Sequence, residues 1–195
     1  MYGFRPHRSA LDTLLELEHH LQEGFSRGHF TVAAFLDLEG AFDSASHNAI
    51  LSKLSTLGLF GSPLAWVRSF LSSRTFSVAI GNTFSQHFPI SRGVPQGSPL
   101  SPLLFNILLS DFPSSPNSHT LIYADDLSLL CSSPSLQEAQ TLLQRGLDTI
   151  SHWCTRWGLT LCAPKSTFMC FTRRRIPNIP QVHLTGTVIP FRTTH

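Results

Sequence analysis

Charged residues are scarce in this chain of 195 residues. Only 13% of them are Asp, Glu, Lys or Arg, about half the usual share, while 42% are apolar. This composition excludes an intrinsically disordered chain, which combines high charge with few apolar residues. It predicts a folded domain, and the net charge of +2 argues only weakly for an anionic partner.

Paired cysteines, a signal peptide and a membrane-spanning run are also missing from the sequence. The cysteines at positions 131, 154, 162 and 170 form no C-x-x-C pair, and no Cys/His spacing is typical of a zinc site. The first ten residues, MYGFRPHRSA, lack the apolar segment of a signal peptide. No apolar run reaches the roughly 20 residues that cross a bilayer. We therefore expect free thiols, a reducing compartment and no membrane partner.

The chain does contain a regular mixture of helix and strand patterns. Helical spacing of apolar residues predicts helices that begin near Ser9, Ser46, Ser62, Ser98 and Ser135. The apolar run 32–38 predicts a buried strand, LIYADDLSLL (121–130) predicts two strands joined by an Asp-Asp turn, and Gly81-Asn82 predicts a hairpin. These elements favour an α+β fold in which helices cover one face of an antiparallel sheet.

Three aspartates stand at the ends of the predicted buried strands. Asp37 lies at the end of the first strand, and Asp125 and Asp126 lie between two apolar runs. If these strands are neighbours, the three carboxylates converge, and a divalent cation offsets their repulsion. Oxygen ligands select Mg²⁺ or Mn²⁺, and two such ions can clamp a phosphoryl transfer. The alternative is a solvated Asp-Asp turn and an unrelated aspartate at a strand end.

Three motifs in order resemble those of reverse transcriptases from non-LTR, LINE-like retrotransposons. They are FLDLEGAFDSASH, GVPQGSPLSPLLFNILLSD and YADDLSLL. YGFRPHRSALDTLLEL is similar to the fingers-side segment of that family, and GLTLCAPKSTFMCFTRRR to its lysine-bearing motif. The resemblance implies an RNA-directed DNA polymerase. Its fold would be the palm of a right-hand polymerase, an antiparallel sheet backed by helices, with partial fingers and the thumb missing.

The family's catalytic roles map onto four residues of this sequence. Asp37 and Asp125 match the metal-binding aspartates, and Asp126 matches the third acidic residue at that centre. The resemblance implies two Mg²⁺ ions (or Mn²⁺) there. Lys165 matches a lysine that protonates or neutralises the leaving pyrophosphate. Cys162 occupies a position where the family usually has Asn.

The resemblance also implies contacts with the nucleotide, primer and template. Phe42 matches the aromatic residue that stacks under the incoming sugar and rejects a 2′-hydroxyl. Gln96 and Gly97 match a loop that approaches the template and the incoming nucleotide. Tyr123 matches a residue that supports the primer end.

The same resemblance predicts the regions of the chain. Arg5 and Arg8 match basic fingers residues near the template or triphosphate. The predicted boundaries are 1–30 and 60–95 for fingers-side elements, 31–60 and 96–175 for the palm, and 176–195 for a truncated hairpin region.

The implied partners are an RNA template, a DNA primer and dNTPs, and the implied location is the nucleus, the cytoplasm or both. Two alternatives stay open: a catalytically inactive relic, and a nucleic-acid-binding fragment without polymerase activity. The ten histidines are scattered, and His19-His20 is interpreted as helix surface rather than as a ligand pair.

Overall fold

A computed structural model describes residues 3–115, 117–176 and 181–192. Residues 177–180 and 193–195 of the predicted hairpin region lie outside the described residues. The helices are α1 (Ala10–Ser26), α2 (Ala41–Ser44), α3 (His47–Thr56), α4 (Gly61–Leu71), α5 (Leu100–Leu108) and α6 (Leu136–Trp157). The strands are β1 (Phe30–Leu36), β2 (Thr75–Phe76), β3 (Ala79–Ile80), β4 (Thr83–Phe84), β5 (Phe88–Pro89), β6 (His119–Tyr123), β7 (Asp126–Ser133), β8 (Thr167–Phe171), β9 (His183–Leu184), β10 (Thr187–Val188) and β11 (Phe191–Arg192).

The chain forms two compact units, residues 1–39 with 111–195 and residues 40–110. The first unit is built on a sheet with strand order β11-β8-β1-β7-β6. The central strand β1 pairs antiparallel with both β7 and β8, and β6 and β7 form an antiparallel hairpin. Among the strand pairs of the described residues, the edge pair β11 and β8 alone is parallel. The predicted α+β class with a mainly antiparallel sheet is confirmed.

Helices cover both faces of this sheet rather than the one face expected. Leu17 and Leu21 of α1 pack against a cluster that contains Leu130. α6 lies over the opposite face, where a Cβ on Gly146 would come within 2.6 Å of the Leu129 side chain. Successive residues of a strand point to opposite faces. Coverage of both faces explains why β1 is a continuous apolar run instead of an alternating one.

Capping residues set the ends of the long helices. In α1 the Asp12 carboxylate accepts hydrogen bonds from the Ser9 backbone N–H (2.6 Å) and the Ser9 hydroxyl (2.9 Å). In α6 the Ser135 side chain accepts from the Glu138 N–H, and Gly158 ends the helix with φ of 74°. These two helices are confirmed. α1 ends at Ser26.

The second unit contains the four helices α2 to α5 and two short antiparallel strand pairs, β2 with β5 and β3 with β4. α3 packs against α4 and α5 around Ile50, Leu104 and Phe105, which are buried. The hairpin at Gly81-Asn82 forms, but β3 and β4 have two residues each and their side chains are exposed. Ile80 and Phe84 are exposed rather than packed against the rest of the described chain, so little holds a longer ladder together. Among the described helices, none is long and apolar enough to cross a membrane.

Candidate active site

Backbone hydrogen bonds on both sides fix Asp37 just beyond the end of β1. Its N–H donates to the Ser166 hydroxyl at 3.1 Å, and its carbonyl accepts from the Cys162 N–H at 2.9 Å. The Ser166 hydroxyl in turn donates to the Cys162 carbonyl at 2.8 Å, and Ser166 is fully buried. Sequence reasoning missed Ser166, because its role depends on a contact 129 positions away.

The hairpin of β6 and β7 carries the other two aspartates. The sequence predicted Asp125 and Asp126 as the two turn residues, but the turn consists of Ala124 and Asp125, and Asp126 already pairs with Tyr123 in the ladder. Ala124, not an aspartate, has the left-handed backbone, with φ of 54°. The register is set by burial, because Leu127 must face inward and the next residue toward the turn then faces outward.

The strand register brings the three carboxylates to one end of the sheet. Leu36 pairs with Leu127, and one step further along this antiparallel register Asp37 meets Asp126. The pKa of Asp126 is raised above its ordinary value, first by partial burial and then by the negative charges of Asp125 and Asp37. The strand register therefore places Asp37 next to Asp126, with Asp125 on the adjoining turn.

The carboxylates at this end of the sheet offer oxygen ligands to a divalent cation, although the three aspartates do not bring one ligand atom each within 4.8 Å of one another in the described residues. Oδ2 of Asp37 is shielded from solvent and has no hydrogen-bond partner among the described residues, although 42% of the side chain is exposed. The Lys165 Nζ lies 4.0 Å from this oxygen, beyond hydrogen-bonding distance. An unpartnered carboxylate oxygen beside two further carboxylates matches the all-oxygen donor set of Mg²⁺ or Mn²⁺.

Lys165 is held near this centre by a tight turn. Its N–H and that of Ser166 both donate to the Cys162 carbonyl, at 3.2 and 2.9 Å. The Lys165 side chain is 68% exposed, which leaves the ammonium free to move toward a ligand. Cys162 contributes through its backbone, so the turn forms without the Asn that the family usually has at that position.

An open cavity of about 390 Å³ lies against the carboxylates. Its polar wall includes Asp37, Asp126, Tyr123 and Lys165, and its apolar wall comes mainly from α1 and the adjoining strands. Cavities of this size accept small-molecule ligands. The structure thus brings four of the predicted site residues to one cavity, with Asp125 on the adjacent turn.

The segment before α1 lies against the hairpin of β6 and β7. A Cβ on Gly3 would lie 2.4 Å from the backbone nitrogen of Ala124, so only glycine allows this approach. Arg5 and Arg8 follow on the same segment and are exposed. Sequence reasoning did not single out Gly3, because a close backbone contact leaves no local pattern.

Phe42, Gln96 and Gly97 belong to the second unit and line one open cavity there, of about 510 Å³. The Phe42 ring stacks on the buried Phe105 ring at a centroid distance of 4.6 Å. The Gln96 Nε2 donates to Asp43 Oδ1 at 2.8 Å. These contacts fix the Phe42 and Gln96 side chains, and Gly97 lines the same cavity.

The loop before Gln96 runs close to the segment that carries Phe42. Val94 N–H donates to the Phe42 carbonyl at 2.9 Å, and Gly93 N–H donates to the Ala45 carbonyl at 2.8 Å. A Cβ on Gly93 would come within 2.7 Å of the Asp43 carbonyl oxygen. Gly93 is therefore required for the close approach of the two segments.

Comparison with known proteins assigns this chain to a family. The model of the family described as reverse transcriptase (RNA-dependent DNA polymerase) matches residues 1–189. A probable RNA-directed DNA polymerase from transposon BS of Drosophila melanogaster is 34% identical over 96% of this chain and 22% of its own length. The RNA-directed DNA polymerase from mobile element jockey of the same species is also 34% identical, over 96% of this chain and 21% of its own length. The chain thus spans about a fifth of the length of these relatives.

Solved structures support the fold. Telomerase from Candida albicans matches 92% of this chain and 32% of its own with a TM-score of 0.60 at 16% identity. That likeness confirms the predicted palm-like polymerase architecture, and the relatives from mobile elements confirm the predicted non-LTR branch. This chain belongs to the reverse transcriptase (RNA-dependent DNA polymerase) family.

Proposed function

We propose that this chain carries the nucleotidyl-transfer centre of an RNA-directed DNA polymerase, which adds dNTPs to the 3′-hydroxyl of a DNA primer on an RNA template. The observation that carries the proposal is the cluster of Asp37, Asp125 and Asp126, in which one buried carboxylate oxygen of Asp37 has no hydrogen-bond partner. Family membership supports the reaction class.

The three aspartates would hold two Mg²⁺ or Mn²⁺ ions. When bound, such ions lower the pKa of the primer 3′-hydroxyl and neutralise charge on the triphosphate and the leaving pyrophosphate. Asp37 is positioned for this role by the hydrogen bonds that its backbone makes with Ser166 and Cys162. Lys165, with its exposed ammonium, would protonate or neutralise the pyrophosphate.

The nucleotide and the nucleic acid would contact the residues that the family resemblance assigns. Phe42 would stack under the incoming sugar, supported from behind by Phe105. Gln96 and Gly97 would approach the base pair being formed, and Tyr123 would support the primer end.

Two further assignments remain proposals. Arg5 and Arg8, exposed on the segment next to the catalytic turn, would contact the template or the triphosphate. The division into fingers-side and palm elements, and a nuclear or cytoplasmic location, follow from the proposed function and stay predictions.

Primer extension tests the proposal. Oligo(dT) annealed to poly(A) RNA is incubated with dTTP, Mg²⁺ and either the wild-type chain or Asp125→Ala, and folding of both is checked by circular dichroism. The expected result is extension by the wild type alone. Extension by both proteins would refute the assignment of the site.

A binding assay on an RNA–DNA hybrid with the same two proteins separates the alternatives. Binding to an RNA–DNA hybrid that depends on salt and survives Asp125→Ala, without extension by the folded wild type, would favour a nucleic-acid-binding fragment. Absence of both binding and extension would favour an inactive relic.

A further inference from the structure

Three potential metal ligands meet at the other end of β6 from the catalytic turn. They are Glu16 and His20 of α1 and His119, the first residue of β6. One ligand atom from each lies within 4.8 Å of the other two. Each of the three residues is partly buried.

The fold explains why these side chains meet. Glu16 and His20 are four residues apart in a helix, so they lie on the same face one turn from each other. This face of α1 packs on the sheet next to β6, which brings His119 against both. The His20 and His119 rings lie with centroids 3.6 Å apart, and Nε2 of His119 lies 2.8 Å from Oε1 of Glu16.

The Glu16 and His119 side chains already place two ligand atoms side by side. Nε2 of His119 is shielded from solvent and lies 2.8 Å from the Glu16 carboxylate, so one ion could bind both atoms. Each imidazole, in its neutral form, offers a nitrogen lone pair to a metal ion.

We propose that Glu16, His20 and His119 form a transition-metal site, with Zn²⁺ as the preferred ion. Two imidazoles and one carboxylate are the donor set of three-residue zinc sites, in which water occupies the fourth position. Ligand atoms of a tetrahedral zinc site lie about 3.4 Å apart, given bonds of roughly 2.1 Å. Small side-chain rotations from the observed separations reach this geometry.

The site has an entry path and a structural consequence. An open cavity of about 250 Å³ reaches His20 and His119 and is also lined by Asn117, Ser118 and Thr31. A bound ion would tie α1 to the start of β6, the strand that ends at Tyr123 next to the catalytic turn. It would therefore stabilise the attachment of α1 to the catalytic hairpin.

Cobalt and zinc titrations of the purified chain test this inference. Co²⁺ gives visible absorption bands when four-coordinate, and Zn²⁺ displaces it, so both affinities follow from one optical experiment. His119→Ala and His20→Ala should each weaken binding by more than the roughly 10- to 100-fold that loss of an outer-sphere partner costs. His19→Ala, the exposed neighbour on α1, is the matched control and should leave binding unchanged.

The outcomes separate this site from the carboxylate centre. Asp125→Asn should abolish primer extension but keep the Co²⁺ spectrum, because imidazoles favour Co²⁺ and Zn²⁺ and carboxylates favour Mg²⁺. The inference is overturned if the folded wild type gives no four-coordinate Co²⁺ bands, or if the bands persist in both His20→Ala and His119→Ala. Circular dichroism confirms that each variant is folded, and His20→Ala serves alone if His119→Ala does not fold.

Discussion

Asp126→Asn should raise the melting temperature of the metal-free protein. Asp126 lies beside the charges of Asp125 and Asp37, and these charges and its partial burial all disfavour its ionised form. At a partly exposed position, each like-charge pair costs about 0.5 kcal/mol. Removing the charge therefore stabilises the fold by about 1 kcal/mol, which corresponds to a rise of about 2–4 °C for a chain of this size.

The difference in stability between Asp126→Asn and the wild type should depend on pH. Because the pKa of Asp126 is higher in the folded protein than its ordinary value of 3.8, the folded state takes up this proton before the unfolded state does. The wild-type protein is therefore penalised at neutral pH and recovers stability as the pH falls through the raised pKa. The advantage of Asp126→Asn should shrink toward pH 4 and also in high salt.

In Mg²⁺, the wild type should melt at a higher temperature than Asp126→Asn. A ligand that binds only the folded state at 100 times its dissociation constant stabilises that state by about 2.7 kcal/mol. The variant has lost one carboxylate of the centre and should gain less. Thermal melts followed by circular dichroism, with EDTA or Mg²⁺, measure both effects.

Asp148→Asn is the matched control for these melts. Asp148 is exposed on α6 and accepts a hydrogen bond from Gln144 that the Asn oxygen can also accept. This variant should behave like the wild type with and without Mg²⁺. A metal-free melting temperature of Asp126→Asn below those of the wild type and this control would refute the argument from charge repulsion.

Three further variants test positioning and specificity. Gly3→Ala places a methyl group 2.4 Å from the backbone nitrogen of Ala124, so it should cost about 1–3 kcal/mol in thermal melts and weaken Mg²⁺ binding. An unchanged Mg²⁺ titration would contradict this. Asp43→Ala removes the acceptor that orients Gln96, so KM for dNTP in primer extension should rise while the melting temperature stays within a few degrees. A KM equal to that of the wild type would show that Asp43 does not orient Gln96 for nucleotide binding. Phe42→Val should allow ribonucleotide incorporation, and unchanged discrimination against ribonucleotides would exclude Phe42 as the gate.

Local sequence pattern predicted the elements of the site but not their assembly. The apolar run before Asp37 and the alternation around Asp125 identified two strands, and the family resemblance supplied the expectation that these strands are neighbours. The register of the hairpin was missed by one residue. Asp-Asp is a favourable turn dipeptide, but burial of Leu127 and Leu129 decides which residues occupy the turn.

Contacts between distant segments could not be predicted from local pattern. Ser166 positions Asp37 from 129 residues away, and Gly3 approaches Ala124 only because the folded chain returns to the catalytic turn. His20 was interpreted as helix surface, yet it faces His119 on another element. None of these partners lies within the spacing over which a helix or strand pattern carries information.

The most direct test of the metal centre is electron paramagnetic resonance of Mn²⁺ added to the purified chain. The free-ion signal falls as Mn²⁺ binds, so a titration gives the number of ions bound and their affinity. The structure predicts binding by the wild type and by His119→Ala, and its loss in Asp37→Asn and in Asp125→Asn. Binding that is equal in the wild type and in both aspartate variants would contradict the assignment of these carboxylates as the centre of nucleotidyl transfer.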